Sequence, residues 1–231
     1  MQFHAHSVHA GGGRACTRCH LAPVWGGAGR EFRLGTPLEL RPGAMPFDAL
    51  IPLVLRLAHG ILAIQSQASP VAFRDAVSWA VAAAVHGQRS ELDPFELIAI
   101  ARNETDFRPN VVGPDGKDCG LTQTRVTYSR YRCGELRRSP WLSFAEAARE
   151  LKANQVRCLR NAPNDVTRCR INSYNSGVKY ARGGWPGRYW LRVSCFAEAA
   201  RGGVAPGGNC RLVRSWADVQ RIAGNVATAW N

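Results

Sequence analysis

The feature that most constrains this chain is an abrupt change of local chemistry near residue 106. Before it, Asp93-Pro94-Phe95-Glu96 opens a helix. Asp93 offers a side-chain acceptor to the free N–H groups of the first turn, Pro94 suits the first helical position, and Glu96 is placed to close a capping box. Phe95, Ile98 and Ala101 or Arg102 then recur at helical spacing, and Glu104 falls in the final turn. After it, Pro109, Gly113, Pro114, Asp115, Gly116 and Gly120 crowd into the stretch that ends at Gln123. That is turn chemistry, with room for a short hairpin at most.

The flanking segments read as helices. Residues 71–85 are alanine-rich. Ser143-Phe144-Ala145-Glu146 reads as a second capping box, opening a helix to about residue 159. Residues 167–176 look helical and stop at Gly177, which suits a left-handed cap. A helix over 189–200 ends at Gly202-Gly203. The last, over 215–229, carries Trp216, Val219, Ala223, Val226 and Trp230 on one stripe. The expected fold over residues 69–231 is therefore mainly α, with one loop or short β-hairpin excursion after the helix that ends near Glu104.

The first 68 residues differ. Residues 1–44 are rich in Gly, His and Pro and show no periodicity. They contain Cys16-Thr17-Arg18-Cys19-His20, which matches a haem attachment pattern. A haem domain needs helices around the group, and this leader supplies none, so the match reads as incidental. Residues 45–68 read as a candidate signal peptide starting at Met45, with Ser66-Gln67-Ala68 as a small-x-small cleavage site, or as an amphipathic helix. Arg56 and His59 interrupt its apolar run, so no stable membrane span is expected.

Net charge is +13, which favours a polyanionic partner. Zinc fingers, RNP-type aromatic strands and lysine blocks are missing, so nucleic acid is not the expected one. Bacterial wall polymer fits dispersed arginine equally well. Six of the eight cysteines, Cys119, Cys133, Cys158, Cys169, Cys195 and Cys210, lie in the second half and form no C-x-x-C pair. They read as disulfides of an exported protein rather than as a metal site. Sequence does not choose among the pairings that six cysteines allow.

Three motifs follow one another in order: Glu104-Thr105, Gly120-Leu121-Thr122-Gln123 and Ser173-Tyr174-Asn175-Ser176-Gly177. A glutamate at the C-terminal end of an apolar helix keeps its proton more readily, because burial and the negative end of the helix dipole both disfavour the charged form. Such a carboxyl can protonate the leaving oxygen of a glycoside. The ordered set resembles the soluble lytic transglycosylase family over roughly residues 72–200. In that family the catalytic glutamate is followed by Ser or Thr, and later motifs read Gly-Leu-Met-Gln, Ala-Tyr-Asn-x-Gly and Tyr-Val-x-x-Val. The last matches Tyr189-Trp190-Leu191-Arg192-Val193.

The resemblance implies a lysozyme-like domain that cleaves peptidoglycan glycan strands as a monomer, without metal or organic cofactor. Glu104 would act as acid and then base. Gln123 would line the cleft, Tyr174 would hold the carboxyl group, Asn175 would position sugar, and Thr105 and Tyr189 would complete the substrate-binding set. Thr122 stands where the family has Met, Gly113 where many members have Ser, and Cys119 implies a disulfide pinning the loop. A two-carboxylate hydrolase would need a second acid; Asp106, Asp115 and Asp118 are the candidates, the last two reading as turn formers. By the resemblance, the substrate's own N-acetyl group replaces that acid and the product carries a 1,6-anhydro sugar. A goose-type lysozyme and a non-catalytic wall-binding module of the same fold are the alternatives.

Overall fold

The computed structural model of the chain describes residues 47–177, 188–203, 205–206 and 209–227. Among them the helices are α1 (Phe47–Ile64), α2 (Phe73–Arg89), α3 (Pro94–Thr105), α4 (Cys133–Arg138), α5 (Pro140–Asn161), α6 (Val166–Ser176), α7 (Arg188–Gly202) and α8 (Trp216–Ala227). A two-stranded antiparallel sheet joins β1 (Asp118–Cys119) to β2 (Thr124–Arg125), with Asp118 opposite Arg125 and Cys119 opposite Thr124. The chain is thus mainly helical with one short β-hairpin, and the hairpin sits in the Gly/Pro-rich stretch behind α3. The leader 1–44 with Cys16, Cys19 and His20, the candidate start Met45, and Trp230 lie outside the described residues.

Helix α3 is the axis of the core. Leu97, Ile98, Ala99, Ile100 and Ala101 are all fully buried. A helix that is apolar all round is one packed on every side, and α1, α2, α5 and α7 all touch it. It starts as the sequence predicts: Pro94 is at the first position, and Asp93 accepts a bond from the Phe95 N–H at 3.0 Å. Glu96 does not close the expected capping box. Its Oε2 instead accepts from Arg170 Nη2 of α6 at 2.6 Å, where both side chains are nearly buried. A charge-assisted bond inside the core outweighs a bond to an N–H that water can satisfy.

Helix α5 begins earlier than expected. Ser139 caps it, accepting from the Leu142 N–H at 3.3 Å, and Pro140 takes the first position. This repeats the Asp93-Pro94 device. Ser143 and Glu146 are therefore interior to the helix and buried, and their side chains serve other partners. Helix α6 ends at Gly177 with φ 67° and ψ −163°. The positive φ is as expected, whereas ψ is not that of a left-handed cap.

Residues 45–68 contribute a helix to the fold. Leu57, Ala58, Ile61 and Ile64 of α1 are buried in the same core as α2 and α7. Gly60 permits a close crossing: a Cβ there would sit 2.7 Å from the Ala200 carbonyl oxygen of α7. Helix α1 packs against α2 and α7. Among the described residues no helix is long and apolar enough to cross a membrane. At the other end, Trp216 of α8 stacks on Trp190 of α7 with centroids 5.1 Å apart, and Val219 is buried, as the apolar stripe requires.

Among the described residues three disulfides form: Cys119–Cys133, Cys158–Cys169 and Cys195–Cys210. They close loops of 14, 11 and 15 residues. Each stabilises the fold by about 3 kcal/mol if loop entropy in the unfolded chain is the whole effect. The first ties β1 to α4, directly beside Gly120.

Candidate active site

Glu104 lies half-buried in the last turn of α3. The helix stops two residues later at Asp106, a residue in the left-handed region (φ 57°, ψ 39°). Asp106 pairs with Arg102 and accepts from the Ser66 hydroxyl at 2.6 Å. It is thereby occupied as part of the helix end and gives Glu104 no partner acid.

Thr105 is buried, with 1 % of its surface exposed, so it cannot meet a substrate. Its hydroxyl lies 2.8 Å from the Leu121 carbonyl and 3.1 Å from that of Ala101. This corrects the expectation of a substrate-binding Thr105: the hydroxyl bolts the end of α3 to the hairpin loop. The loop is braced at every residue. Gly120 donates to the Val111 carbonyl, Leu121 N–H donates to Ser143 Oγ, and Ser143 Oγ donates to the Leu136 carbonyl. Thr122 is fully buried, with its hydroxyl 3.1 Å from both the Ser143 carbonyl and Thr124 Oγ1. A hydroxyl at this position thus serves the loop and makes no cleft contact. Gln123, at φ 50°, donates through Nε2 to the carbonyls of Val111 and Gly120 at 3.1 and 3.0 Å, and its side chain lines the cleft.

Tyr189, and not Tyr174, is the tyrosine that holds the carboxyl group. Tyr189 Oη donates to Glu104 Oε1 at 2.5 Å. Tyr174 Oη donates to the Thr122 carbonyl at 2.8 Å, so it holds the loop and not the carboxyl group. Packing explains the difference. Helix α7 lies against α3, so the first turn of α7 faces the last turn of α3; α6 carries Tyr174 to the hairpin loop. Asn172 of α6 accepts from the Trp190 N–H at 2.9 Å and so fixes the start of α7 beside Tyr189. Burial holds both phenols well above the usual tyrosine range, so both remain donors.

Burial also raises the pKa of Glu104 above the ordinary glutamate value. Hydrogen bonds from Tyr189 and Asn103 and the charge of Arg192 pull it down, and the charge of Asp118 adds to the rise. Desolvation prevails. The carboxyl opens on a cleft of about 740 Å³ lined also by Gln123, Tyr174, Asn175, Asp118, Tyr128 and Glu150. Glu104, Gln123, Tyr174 and Asn175, named from three separate stretches of sequence, therefore meet in one cleft. Tyr189 reaches them through the carboxyl group. Among the described residues no group of three His, Cys, Asp or Glu side chains is placed to hold a metal ion.

Comparison of the chain with protein families, curated proteins and solved structures returned no match. The chemistry of the cleft is therefore read from its own residues.

Asp115 is a turn former, accepting from the Lys117 N–H at 3.0 Å and pairing with Arg125. Asp118 also pairs with Arg125, at 3.4 Å, while lining the cleft. The carboxyl that sequence reading missed is Glu150. It lies at the edge of the buried α5 stripe Ala147, Leu151 and Asn154, and that register was the available signal. Burial raises its pKa to about 7. Its neutral form therefore stabilises the fold fully below the ordinary value of 4.5, and this contribution is lost as pH rises through about 7. Glu150→Gln is expected to match the parent near pH 4 and to exceed its stability near pH 8 by about 2 kcal/mol, allowing for partial exposure. Urea melts at the two pH values check this; equal differences at both would contradict it.

Proposed function

We propose that the chain cleaves the β-1,4 bond between N-acetylmuramic acid and N-acetylglucosamine in peptidoglycan, as a lysozyme-like lytic transglycosylase. The observation that carries this reading is a half-buried carboxyl, raised in pKa, hydrogen-bonded by one phenol and open to a cleft lined by polar side chains. The proton of Glu104 passes to the leaving glycosidic oxygen as the C1–O4 bond breaks. The substrate's N-acetyl oxygen stabilises the positive centre at C1. Glu104, now a carboxylate, takes the proton of the C6 hydroxyl as O6 closes on C1, which gives the 1,6-anhydro sugar and restores the acid. Tyr189 serves the second half: its hydrogen bond to Oε1 favours the charged carboxylate. Gln123 and Asn175 supply amides for sugar hydroxyl and acetamido groups.

The three disulfides support export to an oxidising compartment, periplasmic or extracellular. A specific observation favours a second reading, hydrolysis: Glu150 and Asp118 line the same cleft and either carboxylate can take a proton from water. Incubation with purified sacculi and mass spectrometry of the released fragments tests both. Anhydro ends are expected. Reducing ends would turn the assignment to a hydrolase, and no release would leave only a wall-binding module.

A further inference from the structure

A second groove, of about 560 Å³, runs between the end of α2 and one face of α5. Its apolar lining is Trp141, Ala145 and Val156, the first and last of them exposed, and its cationic lining is Arg89, Arg130, Arg149 and Lys152. No residue lines both this groove and the catalytic cleft, yet the two adjoin. Arg149 Nη2 donates to the Tyr128 carbonyl at 2.6 Å, and Tyr128 and Glu150 line the cleft.

The cationic lining is built, not incidental. Glu146 has no exposed side-chain surface. Its Oε1 accepts from Arg130 Nε at 2.8 Å, and its Oε2 from Arg149 Nε and Nη2 at 3.0 and 2.8 Å. One buried carboxylate thus fixes two guanidinium groups whose remaining N–H donors face outward, with side chains 62 % and 40 % exposed. Lys152 is matched by Glu91, and Arg89 has no ion pair among the described residues. Four cations against two carboxylates leave the groove positive. His86 adds a polar atom: its ring packs edge-on against Trp141 at 4.5 Å, and its buried Nε2 has no hydrogen-bond partner among the described residues. Burial and the charge of Arg89 lower its pKa to about 4, so at neutrality it is uncharged.

We propose that this groove binds the acidic peptide stem borne by the glycan strand, taking carboxylates on the paired guanidinium groups of Arg130 and Arg149 and small side chains on the Trp141–Ala145–Val156 lining. The proposal rests on the reading of the cleft as a peptidoglycan-cleaving site. Arg130, bonded to Glu146 through Nε, keeps both terminal nitrogens for a bidentate carboxylate, and Arg149, whose Nε and Nη2 are taken by Glu146 and Tyr128, adds Nη1. The apolar lining suits methyl side chains and offers nothing to a bare phosphate chain.

The test uses a synthetic stem tetrapeptide and the full chain, with binding followed by tryptophan fluorescence and by NMR. The peptide is expected to bind, and the charge reversal Arg89→Glu/Lys152→Glu, which leaves the Glu146 pairs intact, to weaken binding about tenfold. Trp141→Ala is the second variant, should the first fail to fold. The same reversal is expected to slow cleavage of stem-bearing strands about tenfold and to leave amidase-stripped strands unaffected. No peptide binding, equal binding by both variants, or binding of inorganic phosphate or a short oligonucleotide in preference to the peptide would overturn the proposal. Peptide binding by a protein that cleaves no strand would keep the groove and sink the reading of the cleft; cleavage of stripped strands without peptide binding would do the reverse.

Discussion

Glu104→Gln should slow glycan cleavage by about a thousandfold or more while leaving sacculus binding and the fold intact. The amide keeps the shape of the carboxyl group, and its oxygen can still accept from Tyr189 Oη. What it loses is the transferable proton. Neither neighbouring aspartate replaces it: Asp106 is held by Arg102 and Ser66, and Asp118 by Arg125. Pull-down with sacculi and timed release of soluble fragments check the two halves separately. Undiminished release would remove Glu104 from the chemistry. Loss of binding equal to the loss of release would make it a binding residue.

Among the described glycines, Gly120→Ala should be the most damaging substitution. Gly120 sits at φ 79°, where an L side chain is strained. An added Cβ would meet Ser143 Oγ at 2.5 Å and the Leu136 carbonyl oxygen at 2.8 Å. The backbone carbonyl cannot withdraw, because Leu136 is fully buried in α4 and Cys133 of the same helix is bonded to Cys119. Strain and overpacking together cost about 3–5 kcal/mol. The loss also reaches the cleft, since Thr105, Gln123 and Tyr174 all donate to carbonyls of this loop. Chemical denaturation and sacculus digestion of the variant should therefore fall together. A variant as stable as the parent would mean that the loop is looser than its hydrogen bonds imply.

Local chemistry was legible wherever one residue decides the matter. Asp93-Pro94 marks the start of α3, the Gly/Pro crowd marks the hairpin, and Glu104 stands at the helix end as its position in the apolar run requires. The meeting of Glu104, Gln123, Tyr174 and Asn175 was also readable, because each belongs to a short ordered motif. Partner choice was not. Glu96 and Glu146 each fit a capping box by spacing, but burial gives them arginine partners instead. Which of two buried tyrosines reaches Glu104 depends on how α6 and α7 pack, and no spacing rule encodes that. Glu150 looked like an ordinary charged helix residue until α5 was set against the cleft. The disulfide pairing likewise followed only from the packed fold.

The central claim is that burial keeps Glu104 protonated where an exposed glutamate would not be. The direct measurement is the titration of its side-chain carbon by NMR in the parent and in Tyr189→Phe. The parent pKa should lie above the ordinary 4.5, and the variant's should lie higher still, because it lacks the hydrogen bond that favours the charged form. Cleavage should fall as pH rises through the same value. An ordinary pKa, indifferent to the loss of the phenol, would contradict the account.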